Sequence, residues 1–64
     1  MSLKYIRTIE KNIKVKMSQI DKGEITIAES GIGKQFNALK DLDEASYEKL
    51  LKEYIKLHNE IKNR

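Results

Sequence analysis

The chain lacks cysteine, proline and tryptophan, and it holds one phenylalanine and three glycines among its 64 residues. Without cysteine, neither a disulfide framework nor a cysteine-based metal site can form. No apolar run is longer than two residues, so the sequence predicts no membrane-spanning segment. The N-terminus also lacks the apolar core of a signal peptide. We therefore expect the protein in the cytoplasm of the host cell.

The length limits the chain to one small domain, residues 1–64. A domain of this size buries only about 60% of the surface that its unfolded chain exposes. Hydrophobic residues make up 39% of the sequence, which is too many for a disordered segment. We expect either a very compact unit or one whose stability is completed by a partner. Since there is little room for a catalytic cleft, we expect binding and not enzymatic activity, with no small-molecule substrate or cofactor.

The net charge of +3 is concentrated in the first third of the sequence. Residues 1–22 carry six basic and two acidic side chains, which gives +4. Residues 23–40 are balanced, and residues 41–64 carry five basic and six acidic side chains, which gives −1. Any surface for a negatively charged partner is therefore expected near the N-terminus.

The first third of the chain predicts an amphipathic helix over residues 3–21, because apolar side chains recur there at steps of three and four. Its apolar face consists of Leu3, Ile6, Ile9, Ile13, Met17 and Ile20. Gly23 is expected to end the helix, because glycine readily adopts the left-handed conformation of a helix cap.

A basic stripe lies on the opposite side of this helix. It consists of Lys4, Arg7, Lys11 and Lys14, and Val15 projects beside it. One interpretation is a solvated helix face, and the other is contact with an acidic protein surface or a phosphate backbone. No aromatic residue interleaves with the stripe, so stacking on bases is not indicated.

The middle of the chain changes period and predicts a β-hairpin, with strands at about 24–29 and 32–38. Ile25 and Ile27 alternate with Thr26 and Ala28, and Ser30-Gly31 fits a two-residue turn. In this pairing Ile25 lies opposite Phe36, which places an aromatic ring against a β-branched side chain.

A competing pattern overlaps the first predicted strand. Thr26-x-x-Glu29 is a capping box, which starts a helix. In that reading Gly31 and Gly33 fall in the first turns, where each glycine costs about 1 kcal/mol relative to alanine. The hairpin is therefore the preferred prediction for this segment.

The last third predicts a second amphipathic helix, over residues 42–62, with Asp41 as N-cap and Glu44 three residues later. Its apolar face contains Tyr47, Leu50, Leu51, Tyr54, Leu57 and Ile61, with His58 at the margin. The predicted fold is thus α+β: helix, hairpin, helix. The alternative is an all-α helical hairpin.

The sequence indicates no catalytic or metal site. His58 is the only histidine and has no identifiable catalytic partner, and no His/Asp/Glu cluster has metal-ligand spacing. Gly31 to Lys34 lacks the full phosphate-loop pattern, so the glycines are assigned to the turn. Beyond the basic stripe with Val15, we predict partner binding at the hairpin tip. That tip is Ser30, Gly31, Ile32, Gly33 and Lys34.

The order of predicted elements resembles the lambda-type head–tail joining protein W family of tailed phages. The residues that carry the likeness are Gly23, strand 24–27, the Ser30-Gly31 turn, the return through 36–38 and helix 47–57. The chain differs in a longer join after Phe36 and in lacking a basic tail. The resemblance implies a non-enzymatic α+β virion protein that binds portal and tail components as a homo-oligomer, with DNA contact left open.

A second, shorter resemblance covers residues 20–30. This stretch, Ile20-Asp21-Lys22-Gly23-Glu24-Ile25-Thr26-Ile27-Ala28-Glu29-Ser30, is similar to the inter-helix segment of the small subunit of exonuclease VII. That resemblance implies an all-helical accessory subunit that binds a large catalytic subunit. A small regulator that binds DNA or another protein is the third hypothesis.

Overall fold

Four helices make up the computed structural model, which describes residues 3–63. They are α1 (Leu3–Asp21), α2 (Ile27–Ser30), α3 (Ile32–Leu42) and α4 (Glu44–Lys62). No strand occurs between residues 3 and 63. The predicted α+β class is therefore wrong, and the chain is all-α as the alternative had it, although α3 makes it more than a two-helix hairpin. Residues 1, 2 and 64 of the predicted domain lie outside the described part.

Helix α1 has the bounds that its periodicity predicts. Ile9, Ile13 and Ile20 of its apolar face are buried. The helix ends in a Schellman motif: the Gly23 N–H donates to the Ile20 carbonyl, and the Glu24 N–H donates to the Gln19 carbonyl. Gly23 has φ 77°, which confirms the predicted left-handed cap.

The predicted first strand is instead the start of a helix. The Thr26 N–H donates to Glu29 Oε1 over 3.0 Å, and the Glu29 N–H donates to Thr26 Oγ1 over 3.1 Å. These two bonds form a complete capping box. The hydrogen bond from the Thr26 backbone lowers the pKa of the Glu29 carboxyl, with a second contribution from the Thr26 side chain. The capping alternative for this segment is therefore confirmed.

Ser30 and Gly31 form a joint between two helices and not a hairpin turn. Ser30 is buried, and its Oγ donates to the Ile27 carbonyl over 2.6 Å. The same Oγ accepts from the Ile32 N–H over 3.1 Å, at the start of α3. Gly31 has φ 65°, which lets the chain turn between α2 and α3. The Ser30 hydroxyl and the left-handed backbone of Gly31 thus form a helix–helix joint where a β-turn was predicted.

The predicted return strand is helix α3. Its buried residues Ile32, Phe36 and Leu39 are spaced by four and three, which places them on one helical face. In a strand, Leu39 would point away from Ile32 and Phe36, so these three could not share a core. Burial of this face against α1 and α4 outweighs the cost of Gly33 in the first turn. The predicted cross-strand pair of Ile25 and Phe36 is consequently wrong.

Helix α4 starts two residues later than its acidic run predicts. Asp43 is the N-cap, and Asp41 belongs to the last turn of α3. Asp43 has an extended backbone, and its N–H donates to the Leu39 carbonyl over 2.8 Å. Its carboxylate accepts from Ser46 Oγ over 2.8 Å. Asp43 is thus the single residue between α3 and α4.

Helices α3 and α4 run antiparallel, as their ring contacts show. Lys40 Nζ lies 5.7 Å from the ring centroid of Tyr47. One turn earlier in α3, Phe36 packs edge-on against Tyr47, with centroids 6.1 Å apart, and against Tyr54, with centroids 5.5 Å apart. Such T-shaped pairs contribute about 0.5–1.5 kcal/mol beyond area burial. The Phe36 ring therefore links α3 to two positions along α4.

Candidate docking surfaces

The basic stripe lies on the solvent side of α1. Lys4, Arg7, Lys11 and Lys14 are all exposed. Val15, predicted to project beside them, is 48% exposed. None of the four basic side chains pairs with a carboxylate among residues 3–63. The stripe is therefore available for contact along its whole length.

The five residues predicted as a hairpin tip do not form one surface. Ser30 and Ile32 are buried in the joint and the core. Gly31, Gly33 and Lys34 are exposed. The two buried members hold α2 and α3 together, so their role in the structure is packing. Only the three exposed positions remain accessible to a partner.

The side of α4 that faces α1 and α3 is only partly covered, and this surface was missed in the sequence. Leu50 is the one buried residue in α4. The other apolar residues of the stripe pack against the core while remaining half-buried: Tyr47, Leu51, Tyr54, Leu57 and Ile61. Ile55, next to this stripe, is 49% exposed. We call Ile55 and its half-buried neighbours Leu51 and Tyr54 the α4 patch.

A sequence signal for the α4 patch does exist. Leu50-Leu51 and Tyr54-Ile55 are two apolar doublets four residues apart. Adjacent helical residues are 100° apart, so such doublets widen an apolar stripe beyond what one neighbouring helix covers. The predicted apolar face of residues 42–62 does not include Ile55, so it is narrower than the apolar surface of α4 in the structure.

The molecule is elongated and exposes a large surface for its mass. Its principal extents are 40 × 19 × 14 Å. The accessible surface is 4798 Å², whereas a compact monomer of this mass is expected to expose about 4250 Å². The excess agrees with the incomplete cover of α4, since only an 11-residue α3 packs against two 19-residue helices.

The chemistry of the described residues offers little beyond these surfaces. His58 is exposed, and its ring centroid lies 6.2 Å from that of Tyr54. Within residues 3–63 there is no group of three potential metal ligands. No cavity is found in this part of the chain either. In the same range, none of the helices is both long and apolar enough to cross a membrane.

Comparison with known proteins identifies no relative of this chain. No protein-family model, no curated protein and no solved structure matches the chain. The two candidate surfaces, a basic stripe on α1 and an apolar patch on α4, are therefore identified from the structure of the chain alone.

Proposed function

We propose that this chain is a small, non-catalytic helical subunit that docks on a larger protein through the α4 patch. The observation that carries the proposal is the contrast within α4, where Leu50 is 1% exposed while Ile55 is 49% exposed. A helix that buries only one of its 19 residues gains little stability from packing against the rest of the chain. A partner that covers the patch would supply the missing burial.

An interface built on the α4 patch has to extend beyond it. A standard interface buries about 800 Å² on each partner. Since such an interface takes about 20–30 residues of each partner, a partner must also cover residues that border the patch. Tryptophan, tyrosine and arginine dominate the energetic centre of interfaces. Tyr54 is of this kind and is already held in place by packing on the core.

The helical fold favours the accessory-subunit hypothesis over the phage one. The resemblance to head–tail joining proteins depends on a hairpin at 24–38, and that segment forms α2 and most of α3. The resemblance of residues 20–30 to the exonuclease VII small subunit implies helices on both sides of this segment, and α1 and α3 lie there. We therefore propose a nuclease accessory subunit as the specific case, acting in the cytoplasm.

Site-specific photo-crosslinking tests the docking. A photoreactive amino acid placed at Ile55 in the producing cell should give one discrete adduct with a larger protein. Mass spectrometry would identify that protein, and the complex would then be rebuilt from the two purified components. Lys56, an exposed position of α4 outside the patch, is the matched control position and should give no adduct.

Each outcome separates the possibilities. A nuclease large subunit as the rebuilt partner supports the full proposal. Another large protein supports docking but removes the nuclease assignment. A second copy of this chain, or equal adducts at both positions, contradicts docking on a larger protein. The variant Ile55→Lys should abolish the rebuilt complex while leaving the helical circular dichroism signal unchanged.

A further inference from the structure

The basic stripe on α1 is a regular row of cations. Lys4, Arg7, Lys11 and Lys14 follow one another at three or four residues, which spaces them by about 4.5–6 Å along the helix axis. The row is therefore about 15 Å long. Since α1 continues without interruption from Leu3 to Asp21, the helix holds the row straight.

Within residues 3–63, no carboxylate is paired with this row. Glu10 borders it on the apolar side, four residues before Lys14, and no ion pair joins Glu10 to Lys14 or Arg7. Helices α3 and α4 pack on the other side of α1, through Ile9, Ile13 and Ile20. The positive potential of four adjacent cations is consequently open to solvent and to a polyanion.

The composition of the stripe favours phosphate over an acidic protein surface. Three of the four side chains are lysines, and lysine is depleted in protein–protein interfaces. A lysine ammonium acts as a point charge that contacts phosphate without strict geometry. Val15 is one isolated exposed apolar residue, which is ordinary on protein surfaces.

Duplex nucleic acid fits the stripe better than a single strand. Binding of single strands relies on aromatic side chains on which bases stack, and the stripe contains none. A duplex presents its phosphates on a stiff backbone, which a straight row of cations can follow. We propose that the basic stripe of α1 binds the phosphate backbone of duplex DNA without reading its sequence.

This surface is separate from the α4 patch, so the proposal does not depend on docking to a larger protein. A chain that carries both surfaces would bring its partner to DNA. Either surface can be removed by substitution without altering the other, because the stripe residues and Ile55 are exposed on different helices.

Fluorescence anisotropy with a 20-base-pair DNA duplex tests the proposal on the full chain. Four phosphate contacts predict a slope of about −3.6 in log affinity against log salt, so affinity should fall about 150-fold between 50 and 200 mM salt. The variant Lys11→Gln/Lys14→Gln should halve that slope and weaken binding at 50 mM salt by at least about tenfold. Glu10→Gln should strengthen binding.

The matched control is Lys49→Gln/Lys52→Gln, which removes the same charge at the same spacing from the outer side of α4. It should leave the salt slope unchanged. Equal weakening by both double variants would show attraction by net charge alone and overturn the assignment to α1. A tighter complex with a 20-nucleotide single strand, or equal competition by poly-glutamate, would overturn the choice of duplex phosphate. Absence of binding at 50 mM salt removes the proposal altogether.

Discussion

Helices α3 and α4 are joined by one residue, yet they serve the fold in different ways. In α3, three of 11 residues are buried, and Leu39 is fully inaccessible. In α4, one of 19 residues is buried, and Ile55 is half exposed. The shorter helix is therefore the centre of the core, whereas the longer helix lies at its edge.

This difference indicates where function can reside. The buried residues of α3 cannot contact a partner without leaving the core. A residue of the α4 patch can contact one while its helix stays folded, because little burial is lost. The three predictions that follow compare the two sides of the molecule, starting with the largest effect.

Side-chain truncation should show the largest difference in stability between α3 and α4. Leu39→Ala should cost about 2–5 kcal/mol of unfolding free energy, since it leaves a cavity. A domain of this size has only about 3–10 kcal/mol in total. Ile55→Ala on α4 should change stability by less than about 0.5 kcal/mol. Urea unfolding followed by circular dichroism measures both. Equal losses would contradict the view of α4 as the edge of the core.

The two glycines near the start of α3 should respond in opposite directions. Gly31→Ala forces an L-residue into φ 65° and should destabilise by about 1–2 kcal/mol. Gly33→Ala should stabilise by up to about 1 kcal/mol, because Gly33 lies in α3 with ordinary φ and open space at the added methyl group. Thermal unfolding compares the two variants. Stabilisation by both would exclude the left-handed joint.

The capping box before α3 should give a small effect of pH on stability. The pKa of Glu29 is lowered below 4.5 by its hydrogen bonds from Thr26. Its contribution is therefore complete above the unfolded-state pKa and is lost as pH falls through the lower folded-state value. The amide proton shift of Thr26, measured by NMR, should follow this titration below pH 4.5.

Two variants control that titration. Glu29→Gln keeps the capping geometry but should abolish the pH dependence of the Thr26 amide. Thr26→Ala should cost about 1 kcal/mol. On the α4 side, Ser46→Ala removes the hydrogen bond to Asp43 and should cost less, since no backbone group loses its partner. A larger loss for Ser46→Ala would reverse this order.

The sequence predicts α1 well because its signals are local. Apolar residues repeat at helical spacing over five turns, and Gly23 ends the repeat. For α4, the predicted periodicity is right, but the predicted start is two residues too early, since Asp41 and Asp43 are both suitable caps. The basic stripe follows from the same periodicity, and its exposure is confirmed. The α4 patch is not predicted, because periodicity shows which residues share a face but not how much of that face a neighbour covers.

Residues 24–42 show the limit of local reasoning. The alternation of Ile25 and Ile27 is too short to distinguish a strand from the approach to a helix. Thr26 and Glu29 carry a helix signal, while Gly31 and Gly33 oppose it. Two local preferences of similar size leave the outcome to long-range packing.

The amino-acid sequence alone determined the amphipathic α1 with its left-handed cap, the exposed basic stripe on that helix and the helical character of the last third. These features depend on contacts between residues three or four apart, which any part of the chain can make by itself. Only the tertiary structure decided that 32–42 is a helix and that α4 remains partly uncovered. Both outcomes depend on Ile32, Phe36 and Leu39 finding a common core with α1 and Leu50, which requires residues distant in sequence.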